Sequence, residues 1–290
     1  MQESTFPSVF VIVLNYEGKD TLIACLKSVL GSDYPNFSVV VVDNASTDGS
    51  FEQARDLFPK AHFIRNSANI GFAKGNNVGI RFALEKFADF VFLLNNDAII
   101  EKNTLSKLVK AADSSKKIGI VSPLILGPGK KTVWFAGGII HWSKMKATHI
   151  NKIVAKKLYE SQYLTGCAML IKKKVFKDIG LFDERFFLYY EDTDFSYRAT
   201  KAGFSLAIEP NTTIEHKERS SSHSRSKTYW LVLSGLIFFY THSNLFRKAW
   251  IIFYVSLRKF KNRLDLLFSR NTLAKEVQRA YQDFKDASLR

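Results

Sequence analysis

Short unbroken runs of β-branched and aromatic residues alternate with stretches of helical periodicity through the first 125 residues, and few folds accept such a pattern. "VFVIVL" (Val9–Leu14), "SVVVVD" (Ser38–Asp43) and "FVFLL" (Phe90–Leu94) read as strands buried on both faces. "AHFIR" and "IGIVSP" add a third and a fifth strand to the order. Between them, Leu22, Ile23, Leu26, Val29 and Leu30 recur at helical spacing, and Phe51–Phe58, Ala73–Phe87 and Thr104–Ala112 read as helices. Strands alternating with helices predict right-handed βαβ units and an α/β fold with a mostly parallel central sheet flanked by helices. Ligands of such sheets bind beyond the carboxyl ends of the strands.

Three of those ends carry polar clusters: Asn15-Tyr16-Glu17, Asp43-Asn44 and Asn95-Asn96-Asp97. One cluster would be ordinary turn chemistry; three converging on one edge predict a pocket. "NIGFAKGNNVG" opens a helix, with Asn69 at its start. Gly71 and Gly75 there allow close backbone approach, and Lys74 could meet a phosphate or ribose. Gly79 fits helix–sheet packing better, and Asp48 in "DNASTDGS" fits a turn.

The second half is less regular. "KTVWFAGGIIHWS" suggests a hairpin-like pair of strands around Gly137-Gly138, and "GCAMLIK" a strand followed by a short helix ending near Gly180. "EDTDFSYRATKAG" reads as a helix with acids in its first turn, and "FSLAIEP" and "TTIEHK" as two strands. Lys217–Lys227 has the composition of a flexible loop, so residues 217–228 separate the sheet from the C-terminal region.

Residues 229–290 form an aromatic, basic extension. "YWLVLSGLIFFY" and "LFRKAWIIFYVSL" are each shorter than the ~20 residues of a spanning helix. They fit helices in a membrane interface, anchored by Trp230 and Trp250, or a pair of helices packed on the preceding domain. The chain carries a net charge of +15, with 15 Lys and Arg against 5 Asp and Glu from Lys217 onward. An anionic partner at that end is expected, nucleic acid or a membrane surface. Two cysteines, Cys25 and Cys167, make neither a disulfide framework nor a zinc site. The N-terminus has no signal-peptide pattern, so a cytoplasmic protein is expected.

Together, "VLNYEG", "VVDNASTDGS", "NIGFAKGNN" with "LLNNDA", and "GLFDERFFLYYEDTDFSYRATKAGF" resemble family 2 of the inverting glycosyltransferases, which have the Rossmann-like GT-A fold. More narrowly, they resemble its rhamnosyltransferase-like members of cell-surface polysaccharide biosynthesis. The resemblance runs from about Val9 to His216. It implies a nucleotide-sugar-binding half over residues 1–125 and an acceptor-binding, catalytic half over 126–216. It implies a dTDP- or UDP-linked donor, dTDP-rhamnose or a UDP-hexose, and a glycan acceptor on a lipid carrier. Asp43 would accept the N3–H of the base, within a donor set of Asn15, Glu17, Asp43, Asn44, Asn69, Gly71, Lys74, Asn95 and Asn96. Asp97 stands at the last position of the family's D-x-D motif and would hold Mg²⁺ or Mn²⁺ with His216. Asn95 replaces the first Asp, which leaves one carboxylate fewer. Asp192, or else Glu191, would be the general base, and Gly166 and Trp134 would face the acceptor; Trp134 and Trp142 suit either sugar stacking or the core.

Two rival classes are less well served. A sugar-1-phosphate nucleotidyltransferase needs a Gly-rich, Arg-containing loop after the first strand, where this chain has "NYEGKD". A nucleic-acid binder would explain the charge, but the basic residues accompany apolar aromatic helices and no reading motif. Peripheral association with an anionic membrane at the inner face of the cell membrane, without nucleic acid, is the expectation.

Overall fold

The computed structural model describes residues 6–217, 225–268 and 271–288. The first half alternates as its sequence predicts except for β5, a short strand not expected there, which follows β4 directly: β1 (Val9–Asn15), α1 (Leu22–Leu30), β2 (Phe37–Asp43), α2 (Ser50–Leu57), β3 (His62–Arg65), α3 (Phe72–Glu85), β4 (Phe90–Asn95), β5 (Ala98–Ile100), α4 (Thr104–Asp113) and β6 (Ile118–Leu126). There follow β7 (Val133–Phe135), β8 (Gly138–His141), β9 (Lys146–His149), β10 (Tyr159–Glu160), β11 (Ala168–Lys172), α5 (Lys173–Ile179), α6 (Glu191–Lys201) and β12 (Ser205–His216). The main sheet runs β10-β12-β6-β11-β4-β1-β2-β3, with β5 on β12 and β7 on β6.

The α/β expectation holds, with a mixed interior. The strands β4, β1, β2 and β3 are parallel neighbours, as are β6 and β12. Between these blocks β11 is inserted antiparallel to both β4 and β6. Its all-apolar "AMLI" is buried on both faces, and such a run carries no mark of strand direction.

Two strand boundaries differ from expectation. The hairpin lies one step later than Gly137-Gly138, between β8 and β9, with a left-handed Met145 at its turn (φ +47°). Gly137 (φ +115°) is instead the break between β7, which joins the main sheet, and β8. The two strands expected over 204–217 are one, β12, whose register on β6 shifts between Glu209 and Thr213. The shift accommodates Pro210, which cannot donate to the ladder.

The extension comprises α7 (Arg225–Thr241), α8 (Leu245–Leu267) and α9 (Ala274–Ser288). Of the loop expected over 217–228, residues 218–224 lie outside the described residues, and Arg225–Thr228 already belong to α7. This helix is built into the domain: Phe238 and Phe239 are fully buried in the main core. Trp230, read from sequence as an alternative membrane anchor, stacks on Phe187 with ring centroids 4.4 Å apart. Ser234 donates to the Leu188 carbonyl at 2.8 Å, and His242 meets Asp194 at 2.6 Å. Among the described residues no helix is long and apolar enough to cross a membrane.

α3 lies hard against β1 and β2. A Cβ at Gly79 would sit 2.6 Å from an Ile12 methyl and 3.0 Å from a Val42 methyl. Alanine there gains ~1 kcal/mol of helix propensity but forces helix and sheet apart, which costs about 1–3 kcal/mol. Gly79→Ala is therefore expected to lower the urea midpoint of unfolding; a raised midpoint would show that the contact yields freely.

Candidate active site

The three polar strand ends do converge, and they close on one another. Asn15, 0% exposed, donates through Nδ2 to Asp43 (2.8 Å), Ser46 (3.1 Å) and Ser50 (2.9 Å), while its Oδ1 accepts from Asn96 (2.9 Å). Asp43 also accepts from the Ser46 amide and hydroxyl and lies 3.4 Å from Arg65. Asn44 donates to the Gly71 carbonyl and Asn69 and accepts from Asn66. Asn15, Asp43, Asn44 and Asn96 thus bind the loops of this edge together. Asp48 likewise caps the start of α2 through Ser50.

The outer members of the expected donor set stay near solvent. The Glu17 carboxylate accepts from the Thr47 amide and hydroxyl. Lys74 is exposed on the first turn of α3. Gly71 holds φ +85°, and a Cβ there would lie 2.5 Å from the Phe187 carbonyl oxygen. That carbonyl also accepts from the Phe72 amide at 2.7 Å, so the loop before α3 is pinned to the aromatic run before α6.

Beside the seam opens a cavity of about 260 Å³. Its wall brings together Asn95 at the end of β4, Gly166, Glu191 and Asp192 at the start of α6, His216 at the end of β12, and Trp134. Asp192 is held from two sides. Its Oδ2 accepts from the Gly166 amide (3.0 Å) and its Oδ1 from the Thr193 amide (2.6 Å) and hydroxyl (3.2 Å). The space beside the Gly166 α-carbon is taken by the Phe72 ring, 2.8 Å from where a Cβ would lie, so glycine there admits an aromatic ring of the protein as well as facing the cavity.

The other two acids of this turn have different surroundings. Glu191 is 5% exposed and its Oε2 is buried without a hydrogen bond. Burial foremost, then the nearby Asp192 and Asp194, push its carboxyl well above the ordinary range. Asp194, 1% exposed, pairs with Arg198 at 2.7 Å and with His242, just past the end of α7, at 2.6 Å. Tyr189 and Tyr190 enter the helix in left-handed conformations (φ +67° and +65°), a strained approach for aromatic residues at a site of this kind.

Asp97 Oδ1 and His216 Nε2 are 3.1 Å apart, and Asn95 Nδ2 is 3.5 Å from the same nitrogen. Asp97 Oδ1 and His216 Nδ1 are nevertheless buried without a well-aligned hydrogen bond. Burial opposes the imidazolium, but Cys167 and Asp97 beside it raise His216 to about 11. Among the described residues no three His, Cys, Asp or Glu gather to hold a metal ion. Asp97 and His216 are a two-donor set, which suits a hard cation whose other ligands come from phosphate oxygens and water.

Sequence reasoning missed part of the wall. His149 and Tyr163 line the cavity, and Trp134 packs edge-on against both His149 (4.7 Å) and His216 (4.5 Å). Leu231 of α7 completes it. No spacing signal links these residues; the displaced β8–β9 hairpin and the docking of α7 bring them in. Trp142, expected on sugar or in the core, packs on Tyr197, Phe238 and Phe239.

A carboxyl that keeps its proton when folded and loses it when unfolded costs stability as pH rises through the window between its ordinary and its raised value. Glu191→Gln removes that cost. The variant should equal the wild type in stability near pH 4 and exceed it at pH 7, read as urea midpoints across pH. Parallel pH profiles would show that Glu191 does not titrate abnormally.

The family model for glycosyl transferase family 2 matches residues 8–180. The low-salt glycan biosynthesis hexosyltransferase Agl10 of Haloferax volcanii is 24% identical over 86% of this chain and 80% of its own length. The N-acetylglucosaminyl-diphospho-decaprenol L-rhamnosyltransferase of Mycobacterium tuberculosis is 26% identical over 73% of this chain and 76% of its own. Among solved structures, the mannosyltransferase PcManGT of Pyrobaculum calidifontis, in complex with GDP-Man and Mn²⁺, superposes with a TM-score of 0.63 at 16% identity, covering 97% of this chain and 88% of that one. The fold is that of these GT-A-like neighbours, and with the family match spanning more than half its length, the chain belongs to glycosyl transferase family 2.

Proposed function

We propose that the enzyme is an inverting, metal-dependent glycosyltransferase that moves a sugar from a nucleoside-diphosphate donor to a hydroxyl of a lipid-linked glycan in cell-surface polysaccharide biosynthesis. The observation that carries this reading is the single cavity shared by Asn95, Asp192 and His216, three positions far apart in sequence. The donor would be dTDP-rhamnose or a UDP-hexose. This choice is supported by similarity to the mycobacterial rhamnosyltransferase and to a dTDP-rhamnosyl transferase of Shigella flexneri, 25% identical over 72% of this chain.

In this reading residues 1–125 hold the donor and 126–216 the acceptor. The donor lies across the ends of β1, β2 and β4, with Lys74 near the phosphates and Glu17 and Asn69 framing the loops. Contact between Asp43 and a pyrimidine base requires the Ser46 hydroxyl to give way, so Asp43 acts first by shaping the base-side loop. Asp97 and His216 would hold Mg²⁺ or Mn²⁺, which when bound supplies positive charge against the diphosphate. The His216 proton must leave for this to happen. Asp192 accepts the proton of the acceptor hydroxyl as that oxygen bonds to the anomeric carbon; the bond from that carbon to the diphosphate breaks on the opposite face. The bonds from Gly166 and Thr193 aim the Asp192 carboxylate, and Glu191 beside it stays protonated.

The test is release of nucleoside diphosphate and labelled product from a panel of UDP- and dTDP-sugars, with and without Mn²⁺. Asp192→Asn should lower turnover by about 10²–10⁴-fold while leaving donor affinity intact. Full activity of this variant would remove Asp192 from the mechanism. Asp97→Asn should abolish metal-dependent transfer, whereas Asn95→Asp should preserve it or lower the Mn²⁺ concentration needed. Unchanged metal dependence after loss of Asp97 would make the strand end a turn and nothing more.

A further inference from the structure

α8 carries on its outer face a row that its own fold leaves uncovered. Phe246, Trp250, Phe253, Leu257, Phe260, Leu264 and Leu267 follow one another at alternating spacings of four and three, which places them on one stripe of the helix. Ile251 and Asn262, on the opposite side, are buried, and the Asn262 amide donates to the Ala274 carbonyl at the start of α9. Leu264 is half-buried and the other members of the stripe are exposed, among them Phe246 86%, Phe253 55%, Phe260 62% and Leu267 76%. A row of 22 residues is about 33 Å long at 1.5 Å per residue, far beyond a scattered surface Phe or Leu.

Charge decides what covers it. α8 carries Arg247, Lys248, Arg258, Lys259, Lys261 and Arg263 against a single acid, Asp265. Lys261 borders the stripe on one side and Arg263 on the other, both exposed. A second copy of the helix would bring these cations face to face with no carboxylate bordering the seam to pair them. An anionic bilayer surface answers both features, taking the Phe, Leu and Trp side chains into the headgroup boundary and the Lys and Arg at its phosphates.

A second cavity lies at the end of the same stripe. It has a volume of about 470 Å³ and is lined by Trp142 and Ser143 of the hairpin turn, Ser243, and Phe246, Arg247, Trp250 and Ile251 of α8. Phe246 and Trp250 thus belong to stripe and cavity alike. Trp250 donates to the Ser143 carbonyl at 3.0 Å, and the Arg247 guanidinium lies over the Trp142 ring at 4.4 Å, which fixes the helix to the hairpin. The same hairpin supplies Ala147 and His149 to the catalytic cavity. We infer that α8 is an interfacial helix that seats the enzyme on an anionic lipid surface along the Phe246–Leu267 stripe, with the apolar cavity beside it open to a lipid chain.

The probe is flotation of the full chain with phosphatidylcholine vesicles, with and without phosphatidylglycerol. Wild type should float with the anionic vesicles and less so in high salt. Phe253→Ser with Phe260→Ser should weaken flotation by about tenfold or more. Lys261→Glu with Arg263→Glu should abolish the preference for anionic lipid. The Phe variant should keep its circular dichroism and its nucleotide-sugar turnover in solution, because both side chains are exposed and outside the catalytic cavity. Loss of turnover in Asp192→Asn would therefore be separable from loss of flotation. Equal flotation of wild type and Phe variant, no flotation of wild type, or a wild-type dimer that the Phe variant dissolves would each overturn the inference.

Discussion

The site rests on one side chain, the Asn15 amide, which ties three strand ends. β1, β2 and β4 lie side by side and parallel, so their carboxyl ends present Asn15, Asp43 and the Asn95–Asp97 turn at one level. Asn15 and Asp43 join the first two ends, Asn96 brings in the third, and Ser46 and Ser50 close the loop between them. A buried polar network is worth having only when it is fully satisfied. This one is, and it holds Asp97 where β12 delivers His216.

Periodicity encodes burial and little else, and that sets how much of this could be read in advance. Most of the first half was legible because β1, β2, β4 and β6 are buried runs and the helices between them show apolar stripes, whereas the three-residue β5 is too short to show a period. The insertion of β11 was not, since "AMLIK" would look the same in either direction. The hairpin was misplaced by one strand because glycine doublets mark turns, and here Gly137 marks a break between two strands in different sheets. At the site, residue types were legible and their occupancy was not. Asn15 and Asp43 have the chemistry of ligand contacts, and only three-dimensional packing shows that they also bond to each other and to Ser46. Trp230 and Trp250 look alike in sequence; one stacks on Phe187 and the other stands at the surface.

Three acids within four residues illustrate how little a helix turn constrains chemistry by itself. Capping alone would favour all of them at the start of α6. Glu191 points into a buried space that favours its neutral form, Asp192 meets the cavity with its carboxylate aimed by two amides, and Asp194 turns inward to Arg198 and His242. Neighbouring carboxyl groups with diverging environments are the arrangement in which one group can work as a base while the next does not compete for its proton.

The pairing of Asp194 with His242 also bears on where the enzyme ends. Beyond residue 180 the chain leaves the span matched by the family model, yet α7 supplies a cavity wall in Leu231 and two core rings in Phe238 and Phe239, and His242 just beyond it lies 2.6 Å from a carboxylate two residues from Asp192. A chain trimmed before α7 would keep every motif of the sheet edge. It would also have a breached cavity, an unroofed core and a helix start with a half-paired buried charge. The fold that surrounds the cavity therefore extends past the sheet to α7 and His242.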